Sequence, residues 1–240
     1  MNAEAVSAVA DNADSSAQPP GVEVLFADDA LLVLRKPSGL LSVPGRGADK
    51  QDCLSLRVQR LYPDALVVHR LDMATSGLLV MARGAAMQRL LNRAFAERAV
   101  DKRYVAVVAG RPHASTPLDT AWQEIDLPIA VDWPRRPLRV IDSVNGKPSV
   151  TRWRVLADPS ADGLSPPEDS TRLELEPVTG RSHQLRVHLQ ALGHPILGDT
   201  LYAPPQIQAR AGRLLLHASA LTLSHPATGE RLAFHDPAPF

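Results

Sequence analysis

Residues 66–83, LVVHRLDMATSGLLVMAR, decide how this chain is read. The apolar runs LVV and LLVM are short and β-rich, and the polar link between them contains Ser76 and Gly77. Residues 69–77 are therefore expected on a loop between two buried strands. At its centre is Asp72, followed by Thr75 and Ser76. Such side chains commonly hydrogen-bond their own backbone in a tight turn, so this stretch alone assigns no chemistry.

On the N-terminal side, residues 22–37 carry two β-rich runs around Asp28-Asp29, which predicts a hairpin; a Gly/Pro-punctuated loop, SGLLSVPGRG, follows. Leu54, Val58 and Leu61 fall at helical spacing. Residues 1–20 lack apolar periodicity and end in Pro19-Pro20, and they read as a disordered tail. On the C-terminal side, Met87, Leu90, Leu91, Ala94 and Phe95 share one helical face within residues 85–98, and this helix feeds the strand RYVAVVAG. The Pro-rich residues 112–137 read as loop with short extended pieces. PSVTRWRVL and RLELEPV read as paired strands around an insertion-tolerant loop, DPSADGLSPPEDS. In RSHQLRVHLQAL, Leu185, Leu189 and Leu192 lie on one helix face, capped by Gly193. The last element is a hairpin turning at Thr228-Gly229. Strands outnumber helices and occur as neighbouring hairpins, so the expected class is α+β with a largely antiparallel or mixed sheet.

The 240 residues, 45% apolar, suffice for one catalytic domain over residues 21–240. The first residues lack the basic start and apolar middle of a signal peptide, and no run is long enough to span a bilayer, so a cytoplasmic protein is expected. Cys53 is the single cysteine, which excludes an internal disulfide and a thiolate zinc site and reads as core. The formal net charge is zero, so a nucleic-acid surface has to be a local patch. Arg83, Arg89, Arg93, Arg98, Lys102 and Arg103 form one cluster, which reads equally well as solvated helix face. Arg181, Arg186, Arg210 and Arg213 form another.

The chain carries no GxxxxGK[ST] loop, no strand-linked GxGxxG and no GxSxG elbow, which leaves nucleotide hydrolysis, dinucleotide binding and the common serine hydrolases without support. His183, His188 and His194 lack the i, i+4 spacing of a helical metal pair, and no metal is expected. An apolar stripe long enough for a partner is missing, which favours a monomer without an obligatory protein partner.

The conjunction of HRLDMATSG, KRYVAVVAG and TGRSHQLRVHLQALGHPILGDTLY resembles the RluA-type family of pseudouridine synthases. The HRLDxxTSG signature is matched at His69, Arg70, Leu71, Asp72, Thr75, Ser76 and Gly77, and the resemblance runs from about residue 22 to the C-terminus. It implies a pseudouridine synthase fold around an RNA-binding cleft, without the S4-like domain that many relatives carry at the N-terminus. The implied activity is isomerisation of uridine in a 23S rRNA loop and at the 5′ edge of a tRNA anticodon loop. That reaction exchanges no electrons, phosphate or external atoms, so no cofactor is expected.

By the same resemblance, Asp72 is the catalytic carboxylate, acting as nucleophile or base. Arg186 keeps it ionised, and Tyr104 lies beneath the uracil ring. Arg70 fills the space left by a flipped uridine. His69, Thr75, Arg181 and His183 are expected to contact RNA. The competing reading is a non-catalytic RNA-binding or ribosome-assembly factor that retains the fold.

Overall fold

The computed structural model describes residues 22–112, 121–156 and 167–240. The expected N-terminal tail, most of the loop after Leu156 and part of the Pro-rich stretch lie outside the described residues. Within residues 21–240, read above as one domain, the chain forms two compact units. The first comprises residues up to Lys102 and Ala218–Asp236, and the second Arg103–His217 and Pro237–Phe240.

The first unit begins with the expected hairpin, β1 (Glu23–Ala27) and β2 (Leu31–Lys36). Its turn is built on Asp28, whose Oδ1 accepts the N–H groups of Ala30 and Leu31 at 2.7 and 2.8 Å. A helix, α1 (Leu54–Gln59), precedes β3 (Ala65–Val67), and β4 (Ser76–Arg83) follows the loop of interest. In this unit the sheet runs β1-β2-β4 and on to β11 (Leu216–Ser224), with β3 also on β4 and β12 (Arg231–His235) on β11. Consecutive residues of β2 and β4 point to opposite faces of the sheet and nearly all are buried, so both faces are covered there, which explains their continuous rather than alternating apolar character.

Gly77 shows why the signature ends in glycine. Its φ is 107°, and a Cβ there would stand 2.3 Å from the Ala218 carbonyl oxygen on β11. Against the sheet packs α2 (Gly84–Ala96), with Leu91 fully inside and Met87, Ala94 and Phe95 partly so. Leu90, expected on the apolar face, is 46% exposed. The buried stripe of this helix is narrower than the sequence pattern suggested.

In the second unit, β5 (Asp101–Ala109) pairs with β10 (Ser170–Pro177), β10 with β9 (Val150–Val155), and β9 with β6 (Gln123–Asp126), all antiparallel. A separate ribbon joins β7 (Ile129–Val131) to β8 (Arg139–Ile141). Two helices, α3 (Gln184–Ala191) and the short α4 (Pro205–Gln208), complete it.

The expectation of a one-faced α3 needs correction, since Gln184, Leu185, Arg186, Val187, His188 and Leu189 are all buried, while Leu192 is exposed. Burial of so many polar groups is sustained by specific partners. Gln184 Nε2 donates to the Val150 carbonyl and Thr151 Oγ1, and its Oε1 accepts from Thr179 Oγ1 and the Arg181 N–H. His188 bridges Thr151 Oγ1 and the Leu127 carbonyl.

Candidate active site

In the first unit, a fully buried Lys36 holds the Asp72 loop in place. Its ammonium donates to the carbonyls of Pro37, Leu40 and Met73 at 2.8, 2.7 and 3.0 Å. Met73 is the residue after Asp72, and its carbonyl also accepts the Gly39 N–H at 2.8 Å. Ser38 Oγ donates to the Ala74 carbonyl. Ser42 brackets the other side of Asp72, donating from Oγ to the Leu71 carbonyl at 2.7 Å while accepting the Leu71 N–H at 3.1 Å. The Thr75 N–H closes the turn on the Asp72 carbonyl. Residues 36–42 thus hold the backbone on both sides of Asp72, whose own residue is half-buried.

The other expected residues of this loop divide by exposure. Arg70 is exposed. Thr75 is buried, so its contribution is to the turn and not to a surface. His69 accepts the Val80 N–H on Nε2 at 2.9 Å and stacks on Phe95 with ring centroids 4.5 Å apart. This bond fixes the tautomer, with the ring proton on Nδ1. It also explains where β3 stops. The β3–β4 ladder ends at Val67↔Met81, and beyond it the imidazole occupies the Val80 N–H as the chain turns into the loop. Burial pushes the His69 imidazole down to about 3, with repulsion from Lys102 acting in the same direction.

In the second unit, Tyr104 stands near the start of β5 opposite Leu175 and is half-buried. Arg186 is buried on α3 and grips Asp199 with two hydrogen bonds, Nε to Oδ2 at 2.8 Å and Nη2 to Oδ1 at 2.6 Å. Asp199 is itself fully buried, and its Oδ1 also accepts the N–H groups of Leu201 and Tyr202. The Tyr202 ring lies 5.1 Å from the Arg186 guanidinium carbon. His183 meets the Tyr202 hydroxyl at 2.6 Å and has left-handed backbone, φ 58°, a conformation sparsely populated by non-glycine residues. That single residue turns the chain from the TGRS segment into α3. Arg181 is exposed, with Nε 3.4 Å from the Pro148 carbonyl.

Sequence reasoning assigned no role to Lys36, Ser42, Asp199 or Tyr202. The available signal was a Lys, a Ser and an Asp inside otherwise apolar or Gly/Pro-rich segments, KPSGLLS and HPILGD. Such residues are rarely buried unless paired. The three histidines weighed as metal ligands are engaged elsewhere: His183 with Tyr202, His188 with Thr151 and Leu127, and His194 with the Ala109 carbonyl. Among the described residues, no cluster of three or more His, Cys, Asp or Glu suits a metal ion. Of the six basic residues in the stretch from Arg83 to Arg103, three are paired with carboxylates, Arg83 with Asp64, Arg93 with Glu97 and Arg103 with Glu176.

Comparison with known proteins bears on what these loops do. The family model described as RNA pseudouridylate synthase matches residues 30–191. The "Dual-specificity RNA pseudouridine synthase RluA" of Escherichia coli K12 is 49% identical over 223 residues, 93% of this chain and 96% of that protein. The protein of the same name from Haemophilus influenzae is 45% identical over 90% of this chain and 93% of its own length. Among solved structures, Human RNA Pseudouridylate Synthase Domain Containing 1 superposes with a TM-score of 0.69 at 29% identity, covering 91% of this chain and 84% of that one. Human RNA Pseudouridylate Synthase Domain Containing 4 gives 0.68 at 30% identity over 90% and 88%. With a family model across most of its length and relatives near half identical over at least nine-tenths of it, the chain belongs to the RNA pseudouridylate synthases, isomerases that convert uridine to pseudouridine within RNA.

Proposed function

We propose that this synthase acts on stem-loops of both tRNA and 23S rRNA, and that Asp72 is its catalytic carboxylate. The substrate half of the proposal is supported by the dual specificity in the names of relatives that match 93% of the chain. The catalytic half is supported by one observation above all, the clamping of the backbone on both sides of Asp72 by Lys36, Ser38, Gly39 and Ser42. A reacting group gains most from such prior fixation of geometry.

The reaction breaks the bond from ribose C1′ to uracil N1, rotates the base, joins C1′ to C5 and releases the C5 proton, while N1 takes up a proton, so that product and substrate have the same atoms. Asp72 serves as nucleophile or base in the first step, which requires it to be ionised while a bound base excludes water. The charge of Arg186 holds it so, and Asp199 orients that guanidinium. Tyr104 offers its ring to the uracil, and its phenolic oxygen accompanies proton loss from C5. Arg70 fills the stack vacated by the flipped nucleotide, and Arg181 contacts the RNA backbone. His69, Thr75 and His183 serve recognition through the turns they hold. The enzyme works as a monomer in the cytoplasm.

The purified protein, without added metal or nucleotide, is expected to release tritium from transcripts carrying C5-tritiated uridine. Asp72→Asn should abolish release and retain RNA binding; undiminished turnover by that variant would remove Asp72 from its role. Pseudouridine mapping in a deletion strain tests the substrates. Persistence of both the anticodon-loop and 23S sites in that strain would exclude them.

A further inference from the structure

The tip of the β7–β8 ribbon, which the uridine chemistry does not use, presents the most exposed aromatic side chain among the described large apolar residues: Trp133, 65% exposed. An indole joins a large apolar face to a polar N–H, and tryptophan is accordingly enriched where a partner covers the surface. The Arg136 guanidinium carbon lies 4.3 Å from its ring centroid, over one face, and Arg136 Nε is 3.4 Å from the Trp133 carbonyl. With one face covered by a cation and the residue still largely exposed, the other face is open for a flat ligand.

The tip is preorganised. Asp132 pairs with Arg135 at 2.6 Å and accepts the Arg135 N–H at 3.2 Å, and the Asp132 and Arg135 backbones close the turn on Leu138. Pro134 and Pro137 restrict the chain further. Ordering therefore costs little when something stacks on the indole. Within DWPRRPLR, the six positions after the tryptophan carry three arginines, Arg135, Arg136 and Arg139, against the single carboxylate of Asp132. A cationic rim around an exposed aromatic suits a nucleotide, with a base on the ring and a phosphate on an arginine. It suits a protein partner less well, because such contacts surround the aromatic with apolar surface.

The root of the ribbon is firm. Ile129, Leu138 and Ile141 pack with Val187 and Tyr202, and the Arg139 N–H donates to the Tyr202 hydroxyl at 2.9 Å. Tyr202 is the ring beside Arg186. RNA held at the tip is thereby tied through one packed cluster to the helix that carries Arg186.

We propose that the Trp133–Arg136 tip is a second RNA-binding site, stacking an unpaired base of the substrate on the open indole face and pairing a neighbouring phosphate with arginine. The proposal rests on RNA being the substrate, and not on the roles given to Asp72 or Arg186. The full-length protein is to be measured with a fluorescein-labelled tRNA anticodon stem-loop for Kd, and with the C5-tritiated stem-loop for KM and kcat. Trp133→Ala should raise Kd and KM by about 5- to 150-fold, the range expected for loss of one stacked base, with kcat within about twofold. Trp133→Phe should restore most of the affinity, which a merely structural effect of truncation would not predict. Arg136→Gln should lower the slope of log Kd against log salt by roughly one phosphate contact.

An unchanged Kd and KM for Trp133→Ala would overturn the proposal. So would unchanged RNA affinity accompanied by loss of self-association in sedimentation, which would make the tip a contact between protein copies. The binding arm reads independently of turnover. If the unaltered protein bound the stem-loop but released no tritium, the catalytic reading would fail while the docking site was still judged by Kd.

Discussion

The guanidinium of Arg186 and the carboxylate of Asp199 meet through two parallel hydrogen bonds, at 2.8 and 2.6 Å, with both side chains almost wholly withdrawn from water. A planar fork held on two atoms has its remaining direction fixed as well, which a lysine ammonium would not provide. Asp199→Asn preserves shape but removes the charge and turns an amide donor toward the guanidinium. Removing one partner of a buried pair typically costs about 3 to 5 kcal/mol. We expect a lowered melting temperature and a fall in kcat of about 10- to 100-fold, with KM changed much less. Arg186→Lys should not rescue either quantity. Tritium-release kinetics beside thermal unfolding check this, and wild-type kcat in a folded Asp199→Asn enzyme would show that Asp199 does not position Arg186.

Asp199 is delivered to this pair by the residue before it. Gly198 has φ 72°, and a Cβ there would lie 1.9 Å from the Arg213 carbonyl oxygen, which is backbone and unable to rotate aside. Gly229 has nearly the same φ, 76°, yet a Cβ would meet nothing within 4 Å. Both alanine substitutions share the left-handed backbone penalty of about 1 to 2 kcal/mol, so the difference between them isolates the clash. Gly229→Ala should cost only that penalty, whereas Gly198→Ala should cost clearly more and depress kcat as well. Urea unfolding of the two variants side by side measures it, and equal losses would contradict the steric account.

Ser42 and Lys36 test whether clamping the Asp72 loop matters for rate. Ser42→Ala leaves the Leu71 N–H and carbonyl without their partner, a loss of about 1 to 3 kcal/mol if water does not replace it. Lys36→Met keeps the bulk and removes three carbonyl contacts, including that to Met73. Both variants should lose stability, and, with Asp72 as the proposed reacting carboxylate, both should lose kcat more than RNA affinity, because they loosen the loop that carries it. A loss confined to KM would place the clamp in RNA binding instead.

Much of the architecture was legible because it follows local periodicity and turn chemistry. The 22–37 hairpin and the Thr228-Gly229 turn occur as expected, and so does a loop at Asp72, although it is shorter than 69–77 because Ser76 and Gly77 already belong to β4, and β3 before it is buried only at Ala65. The family was legible as well, through the block that ends in Gly77 and the block that ends near Tyr202. What escaped was long-range. Nothing near Asp199 in sequence announces Arg186 as its partner, and Lys36 reads as an ordinary strand-end lysine until Met73, far along the chain, supplies a carbonyl. Likewise the leucine spacing of α3 defines one apolar face and says nothing of its polar residues Gln184, Arg186 and His188. Gln184 and His188 are buried because Thr151, Val150 and Leu127 answer them one by one. Trp133 fell within a Pro-rich stretch, where composition suggests loop and gives no sign of an exposed indole beneath an arginine.

His69 makes stability depend on pH in a defined direction. In the folded protein its imidazole is held neutral down to about 3, chiefly by burial and further by Lys102, while in the unfolded chain it titrates near its ordinary value of 6.5. Between these values the unfolded state binds one proton more than the folded state, so folding is weakened as pH falls. The stability is complete above about pH 6.5 and is lost on acidification at up to about 1.4 kcal/mol for each pH unit, roughly 2 kcal/mol by pH 5. Buried His188 is shifted in the same direction, mainly by burial, and contributes to the same fall. His69→Gln removes the stack on Phe95 and should lower stability at pH 8, but its curve from pH 7 to 5 should be flatter than that of the parent, with a residual slope left by His188. Urea unfolding at several pH values reads the two slopes, and parallel curves would mean that His69 protonates equally readily in both states.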